Sequence, residues 1–158
     1  MIKWIQILAL TWTVTAFAAT PEHGDRNEAE YNNQFAVVLD GYDPVSYFAE
    51  GGGAPAKGNS EISYMYGMRI YHFASAQNLE LFKSNPLKYE PSYGSWCAYG
   101  MSHDAKVTIN PLHFTINGNR LHFFISRSAK RNFDAEVADH EDRADRNWLR
   151  FSGERPRL

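Results

Sequence analysis

The first pattern along the chain is an apolar run from Trp4 to Val14, behind Met1-Ile2-Lys3 and ahead of Ala16-Phe17-Ala18. A basic start, a short apolar stretch and a small-x-small ending mark a secretory signal cleaved after Ala18. Gln6, Thr11 and Thr13 interrupt the run, which falls short of the roughly 20 apolar residues that cross a bilayer comfortably. Residues 1–18 therefore read as a signal peptide, and the mature chain as exported, periplasmic or secreted, with no stable membrane anchor. Residues 19–34 are polar and aperiodic and read as a flexible lead-in.

Beyond that point the apolar positions punctuate into short elements. Phe35 to Leu39 predicts a buried strand. Asp43 before Pro44 predicts a capped short helix carrying Val45, Phe48 and Ala49, stopped by Gly51-Gly52-Gly53. Alternation from Ile62 to Phe73 about Gly67-Met68 predicts a hairpin. Ser75 then caps a helix with Leu79 and Phe82 on one face, which Asn85-Pro86 ends; Leu87 to Glu90 adds a turn. Tyr93 to Gly100, aromatic and bracketed by glycines, reads as a packed loop. A second hairpin fits Phe114–Ile116 and Leu121–Ile125 about Asn117-Gly118-Asn119. Phe133, Val137, Ala144, Trp148 and Phe151 recur at helical spacing within Ser128–Phe151, which predicts an amphipathic helix or a pair of them. The sequence shows no internal repeat. The fold class is α+β: a domain over residues 35–152, with a small, mostly antiparallel sheet packed with short helices and a C-terminal amphipathic helix, and a tail over 153–158.

Charge and composition narrow the partners. The 158 residues hold 16 Lys+Arg against 18 Asp+Glu, and the basic residues near the C-terminus are interleaved with acids. A nucleic-acid binder shows a basic face, so nucleic acid is excluded as the expected partner. Cys97 is the single cysteine, so no internal disulfide can form, and the 15% aromatic content has to supply the core.

Gly41-Tyr42-Asp43-Pro44-Val45-Ser46-Tyr47-Phe48, then Tyr71-His72-Phe73-Ala74-Ser75 with Asn78 and Phe82, form an ordered set that continues through Asn85-Pro86, Lys88-Tyr89, Pro91, Tyr93-Gly94 and Cys97-Ala98. Gly118, Leu121, Ala144-Asp145 and Trp148 extend it to the tail. In these residues the chain resembles the YHS-domain family, in its small exported single-domain branch. The resemblance implies a non-enzymatic protein that binds a metal. Related modules of metal-handling proteins carry cysteines after Asp-Pro-Val and within the Tyr-x-Phe segment; here Ser46 and Ala74 stand at those places, so that thiolate pair is absent.

The densest set of soft and imidazole donors is Cys97, Met101 and His103, to which His72 adds a further imidazole. Thiolate with thioether suits Cu(I), and thiolate with imidazole suits zinc or Cu(II), so the expected ligand is a metal ion such as copper or zinc, or a small molecule. Against this, a free cysteine beside Trp96 is commonly a buried small hydrophobe. Met65 and Met68 could add thioethers near His72, or simply fill space. Asp43 reads more simply as a helix cap than as a working carboxylate. Two other functions fit the residues. Cys97 could be a nucleophile with His72, His103, His113 or His122 as base and Asp43 or Asp104 orienting it. The aromatic stretch Tyr93, Trp96 and Tyr99 could instead form an interaction surface.

Overall fold

The computed structural model describes residues 26–156, and within them one hairpin-and-helix unit is built twice. The signal peptide assigned to residues 1–18 lies outside the described residues. In the first unit β1 (Asn59–Tyr66) pairs antiparallel with β2 (Arg69–Phe73), followed by α1 (Ala76–Ser84) and a single turn, α2 (Pro86–Tyr89). After a five-residue helix, α3 (Ala98–Ser102), the second unit has β3 (Asn110–Asn117), β4 (Arg120–Phe124), α4 (Arg127–Ala135) and the long α5 (Val137–Ser152).

The two units match residue for residue at an offset of 51. Asn59 pairs with Phe73 and, after a bulge, Ser63 pairs with His72; Asn110 pairs with Phe124 and, after the same bulge, Phe114 pairs with Phe123. Both turns place glycine at positive φ, Gly67 and Gly118. Ser75 and Ser126 cap their helices by accepting the N–H three residues on. Phe82 and Phe133 are the equivalent core rings, 5.2 Å from Phe73 and 5.1 Å from Phe124. One position explains the different helix lengths. Pro91 follows α2 and cannot extend it, whereas its counterpart at this offset is Asp142, inside α5. The duplication corrects the expectation of no internal repeat.

Each hairpin is preceded by a left-handed turn. Leu39, Asp40 and Gly41 have φ of 57°, 52° and 76°; Tyr93, Gly94 and Ser95 have 56°, 59° and 69°. A Cβ on Gly94 would lie 2.8 Å from Trp148 and 2.9 Å from Tyr31, so only glycine fits between those rings. Asp43 and Cys97 follow their turns at the same distance, and each donates its N–H to the loop beyond, to Ala56 O at 2.9 Å and Val107 O at 2.8 Å. The strand expected over Phe35–Leu39 does not form: residues 34–37 are a run of bends, and Leu39 enters the left-handed turn with Asp40 and Gly41. The helix expected after Pro44 is only a hydrogen-bonded turn. The Ser46 hydroxyl donates to Asp43 O at 2.7 Å, a local bond that competes with a helical ladder.

The class is α+β, as expected, but the strands form two separate hairpins rather than one sheet. The lead-in is a further correction within residues 26–34. Arg26 grips Glu90 with two bonds of 2.7 and 2.6 Å, its side chain 5% exposed. Tyr31 packs edge-on to Trp148 at 5.6 Å and donates to Glu154 at 2.8 Å. Glu154 is itself buried, so the tail at its described end closes over this strap. Within the lead-in, Arg26, Tyr31 and Asn32 are held by buried partners, whereas Asn33 and Gln34 face solvent.

Candidate functional site

Cys97 ends the extended approach to α3 and caps it: Sγ accepts the Gly100 N–H at 3.4 Å, and the residue is 1% exposed. Met101, one turn on, has no exposure, and its carbonyl takes the Asn147 amide at 2.8 Å. His103 lies exposed past the end of α3, with Nδ1 2.8 Å from Tyr99 O. The predicted set therefore shares one short helix but faces different environments, and His72 belongs to the other repeat. Among the described residues no group of three or more His, Cys, Asp or Glu side chains is placed to hold a metal ion.

No histidine is hydrogen-bonded to Cys97 among the described residues. His122 is occupied elsewhere: Nε2 lies 2.6 Å from Glu141, the ring stacks on Tyr93 at 5.7 Å, and the residue has no exposure. Burial lowers its pKa below the usual histidine value, with Arg120 adding to the effect and Glu141 opposing it. Asp104 is exposed and paired with Arg150. His113 is half-buried. Of the aromatic stretch, Tyr93 is buried and donates to Asp145 at 2.7 Å, and Trp96 donates to Glu30 O at 2.7 Å. The exposed large apolar side chains include Met65 and Met68 at 65% and 82%, on the first hairpin.

The left-handed turns correspond at an offset of 54, Leu39 to Tyr93, three more than the hairpins, and this sets Cys97 against Asp43, a residue with a structural task. Asp43 has no exposure; its carboxylate accepts Val45 N–H at 2.8 Å, Ala74 N–H at 2.8 Å and the Asn78 amide at 2.6 Å. In the second repeat Ile125 and Ala129 stand at the places of Ala74 and Asn78, and Cys97 stands at the place of Asp43. A carboxylate among donors has become a thiol among apolar groups. The helix that Asp43 is expected to cap does not form; the Asp43 carboxylate instead holds the turn through Val45 N–H and ties that turn to the start of α1 through Ala74 and Asn78. A second pair follows the same logic: Tyr71 donates to Glu90 at 2.9 Å where His122 meets Glu141.

The repeats part company at His72. Its counterpart, Phe123, is 1% exposed and packs edge-on to Tyr47 at 5.0 Å. His72 is half-buried, neither ring nitrogen has a hydrogen-bond partner among the described residues, and it lines an open cleft of about 320 Å³ with Phe35, Ala36, Val37, Asp40 and Gly41. Gly41, at φ 76°, lies beside the ring: a Cβ built on it would stand 3.4 Å from His72 Nδ1, an ordinary contact distance, so the positive φ is what favours glycine there. Asp40 at the cleft is paired with Lys57 at 3.1 Å. Sequence reasoning found His72 and its outward face but not Asp40, Gly41 or the main chain opposite. The signal that could have found them is the 51-residue spacing, which sets His72 against Phe123. No family model, curated protein or solved structure matches the chain, so its function has to be argued from its own residues.

Proposed function

We propose that the chain is an exported, non-enzymatic binding protein whose ligand seats in the first-repeat cleft against His72, with the second repeat as its structural support. One observation carries this: two units of the same backbone differ in that one fills the position with a packed phenylalanine and the other leaves an unpartnered imidazole at a cavity. Cavities of this size, with a few polar groups set among apolar ones, are the usual places for small ligands. A transition metal such as copper or zinc, which the YHS resemblance implies, would meet an imidazole and a carboxylate there. At Cys97 it would meet a thiol already enclosed in the cap of α3.

Titration of the mature protein with Zn²⁺, and with Cu(I) under reducing conditions, tests the placement. His72→Phe, which copies the second repeat, is expected to abolish binding while Cys97→Ala leaves it intact. Binding that survives His72→Phe and is lost in Cys97→Ala would return the site to the α3 cluster.

A further inference from the structure

The repeats exchange chemistry at one more joint, where the segment after each left-handed turn meets the helices beyond its hairpin. At the turn offset of 54, Ser102 stands at the place of Phe48; at the hairpin offset of 51, His140 stands at the place of Tyr89. In the first repeat Phe48 and Tyr89 pack edge-on with ring centres 5.2 Å apart. Neither ring titrates near neutral pH, since burial and Glu50 push the Tyr89 hydroxyl further up. In the second repeat the same joint is a hydroxyl against an imidazole, Ser102 Oγ lying 3.0 Å from His140 Nδ1.

Three helices meet at that imidazole. His140, near the start of α5, is 5% exposed; its ring stacks on Phe133 of α4 at 5.5 Å and lies edge-on to Tyr99 of α3 at 5.1 Å. Arg143 Nη2 is 3.0 Å from His140 Nδ1. A guanidinium only donates, so Nδ1 accepts and the ring is neutral. The Ser102 hydroxyl has Tyr99 O at 2.8 Å as its other acceptor. His103 Nδ1 is 3.0 Å from the same hydroxyl, and its ring centre is 5.7 Å from that of His140.

A proton on His140 Nδ1 would take the lone pair that Arg143 uses and set a buried cation beside a guanidinium and a second imidazole. Two carboxylates oppose this: Asp139, which pairs with Arg143 at 2.9 Å, and Glu136, which precedes α5. The balance lies against the proton. Burial foremost, then Arg143 and His103, hold the His140 pKa below the usual histidine value.

We propose that the joint of α3 with α5 is an acid-sensitive latch, closed while His140 is neutral and released when it takes a proton, whereas the first repeat stays closed by Phe48 on Tyr89. Release frees α3 and with it Cys97, whose Sγ is enclosed as the cap of that helix. The latch is independent of the His72 cleft.

The probe is 4,4′-dithiodipyridine, which reacts with thiols in mild acid, its rate on Cys97 being taken relative to the urea-unfolded protein at the same pH. A ring protonated only in the open state raises the open population about tenfold for each pH unit below about 6.5. The relative rate is therefore expected to rise at least about threefold from pH 7 to pH 5, while exchange of the Leu79 and Asn85 amides, bonded within the first repeat, keeps its protection. His140→Asn, whose side-chain oxygen replaces Nδ1 as acceptor without titrating there, is expected to abolish the rise; His122→Tyr is expected to keep it. An unchanged relative rate in the wild type, or a rise that survives in His140→Asn, would overturn the latch. So would a parallel loss of protection at Leu79 and Asn85, which would mean that the whole domain opens.

Discussion

Replacing Asp43 with alanine takes one acceptor away from three donors at once. The carboxylate has no exposure and receives Val45 N–H, Ala74 N–H and the Asn78 amide, all between 2.6 and 2.8 Å. A buried donor left without its partner costs about 1–3 kcal/mol, so two of them cost about 2–6 kcal/mol once the third finds water. A domain of this size has only about 5–15 kcal/mol in hand, so Asp43→Ala is expected to lose a large share of its stability. Cys97→Ala, at the equivalent position, loses one long N–H···S contact and the volume of a sulfur, about 1–2 kcal/mol. Urea denaturation followed by tryptophan fluorescence gives both values on one scale. The equivalence argued for these residues predicts that the first loss is at least twice the second, with similar denaturant slopes. A Cys97→Ala loss as large as that of Asp43→Ala would refute the reasoning, since the thiol would then hold something besides α3.

Further outcomes follow from the same contacts. Cys97 is expected to react with iodoacetamide slowly in the folded protein and rapidly in urea; fast alkylation at pH 7 without denaturant would contradict its enclosure. Stability is expected to fall on acidification below about pH 6.5, because unfolded His122 takes up a proton there. The folded state resists that proton because the ring is buried against Tyr93, with the Arg120 cation adding to the effect and the Glu141 and Asp145 carboxylates opposing it. Glu141, whose pKa is also lowered, adds a loss in the same direction at lower pH, because the unfolded carboxylate is protonated first. His122→Tyr, which copies Tyr71, should flatten the fall in urea midpoints that begins below about pH 6.5; an unchanged fall would assign it to other groups. Arg26→Ala removes the cation facing buried Glu90 and should cost about 3–5 kcal/mol, against almost nothing if residues 26–34 were a loose lead-in.

What the sequence made legible was whatever depends on neighbours along the chain. Both hairpins, with Gly67 and Gly118 in their turns, follow from alternation and turn chemistry. So do the helix capped by Ser75 and the amphipathic end, and the outward face of His72 follows from strand parity. Failures came where tertiary partners decide. Phe35–Leu39 is apolar enough for a strand, but Leu39 and Asp40 adopt positive φ to pass beneath the first hairpin, and no local preference of leucine announces that. Arg26 and Glu28 look like solvated charges, yet Arg26 meets Glu90, 64 residues on, and Glu28 takes the Met68 N–H at 2.8 Å. The Cys97, Met101, His103 cluster was close in sequence because it lies on one helix. That closeness carried no information about where the three side chains face.

The repeat escaped because its two copies keep geometry while exchanging chemistry. Asn59, Gly67, Arg69, Phe73, Ser75, Phe82 and Glu90 recur unchanged at the offset of 51, and these are the turn, cap and core positions that the backbone needs. Elsewhere the exchanges come in compensating groups. Asp43 with Asn78 becomes Cys97 with Ala129, each set satisfied in its own terms, and Tyr71 on Glu90 becomes His122 on Glu141. The exchange of His72 for Phe123 has no such compensation within the described chain. The imidazole has no hydrogen-bond partner, the bridges to the preceding segment are missing, and a cavity stands between. The His122 exchange is not fully balanced either, since its buried Nδ1 has no hydrogen-bond partner among the described residues; His72 differs in standing half-buried at an open cleft, where a ligand supplied from outside can reach the ring.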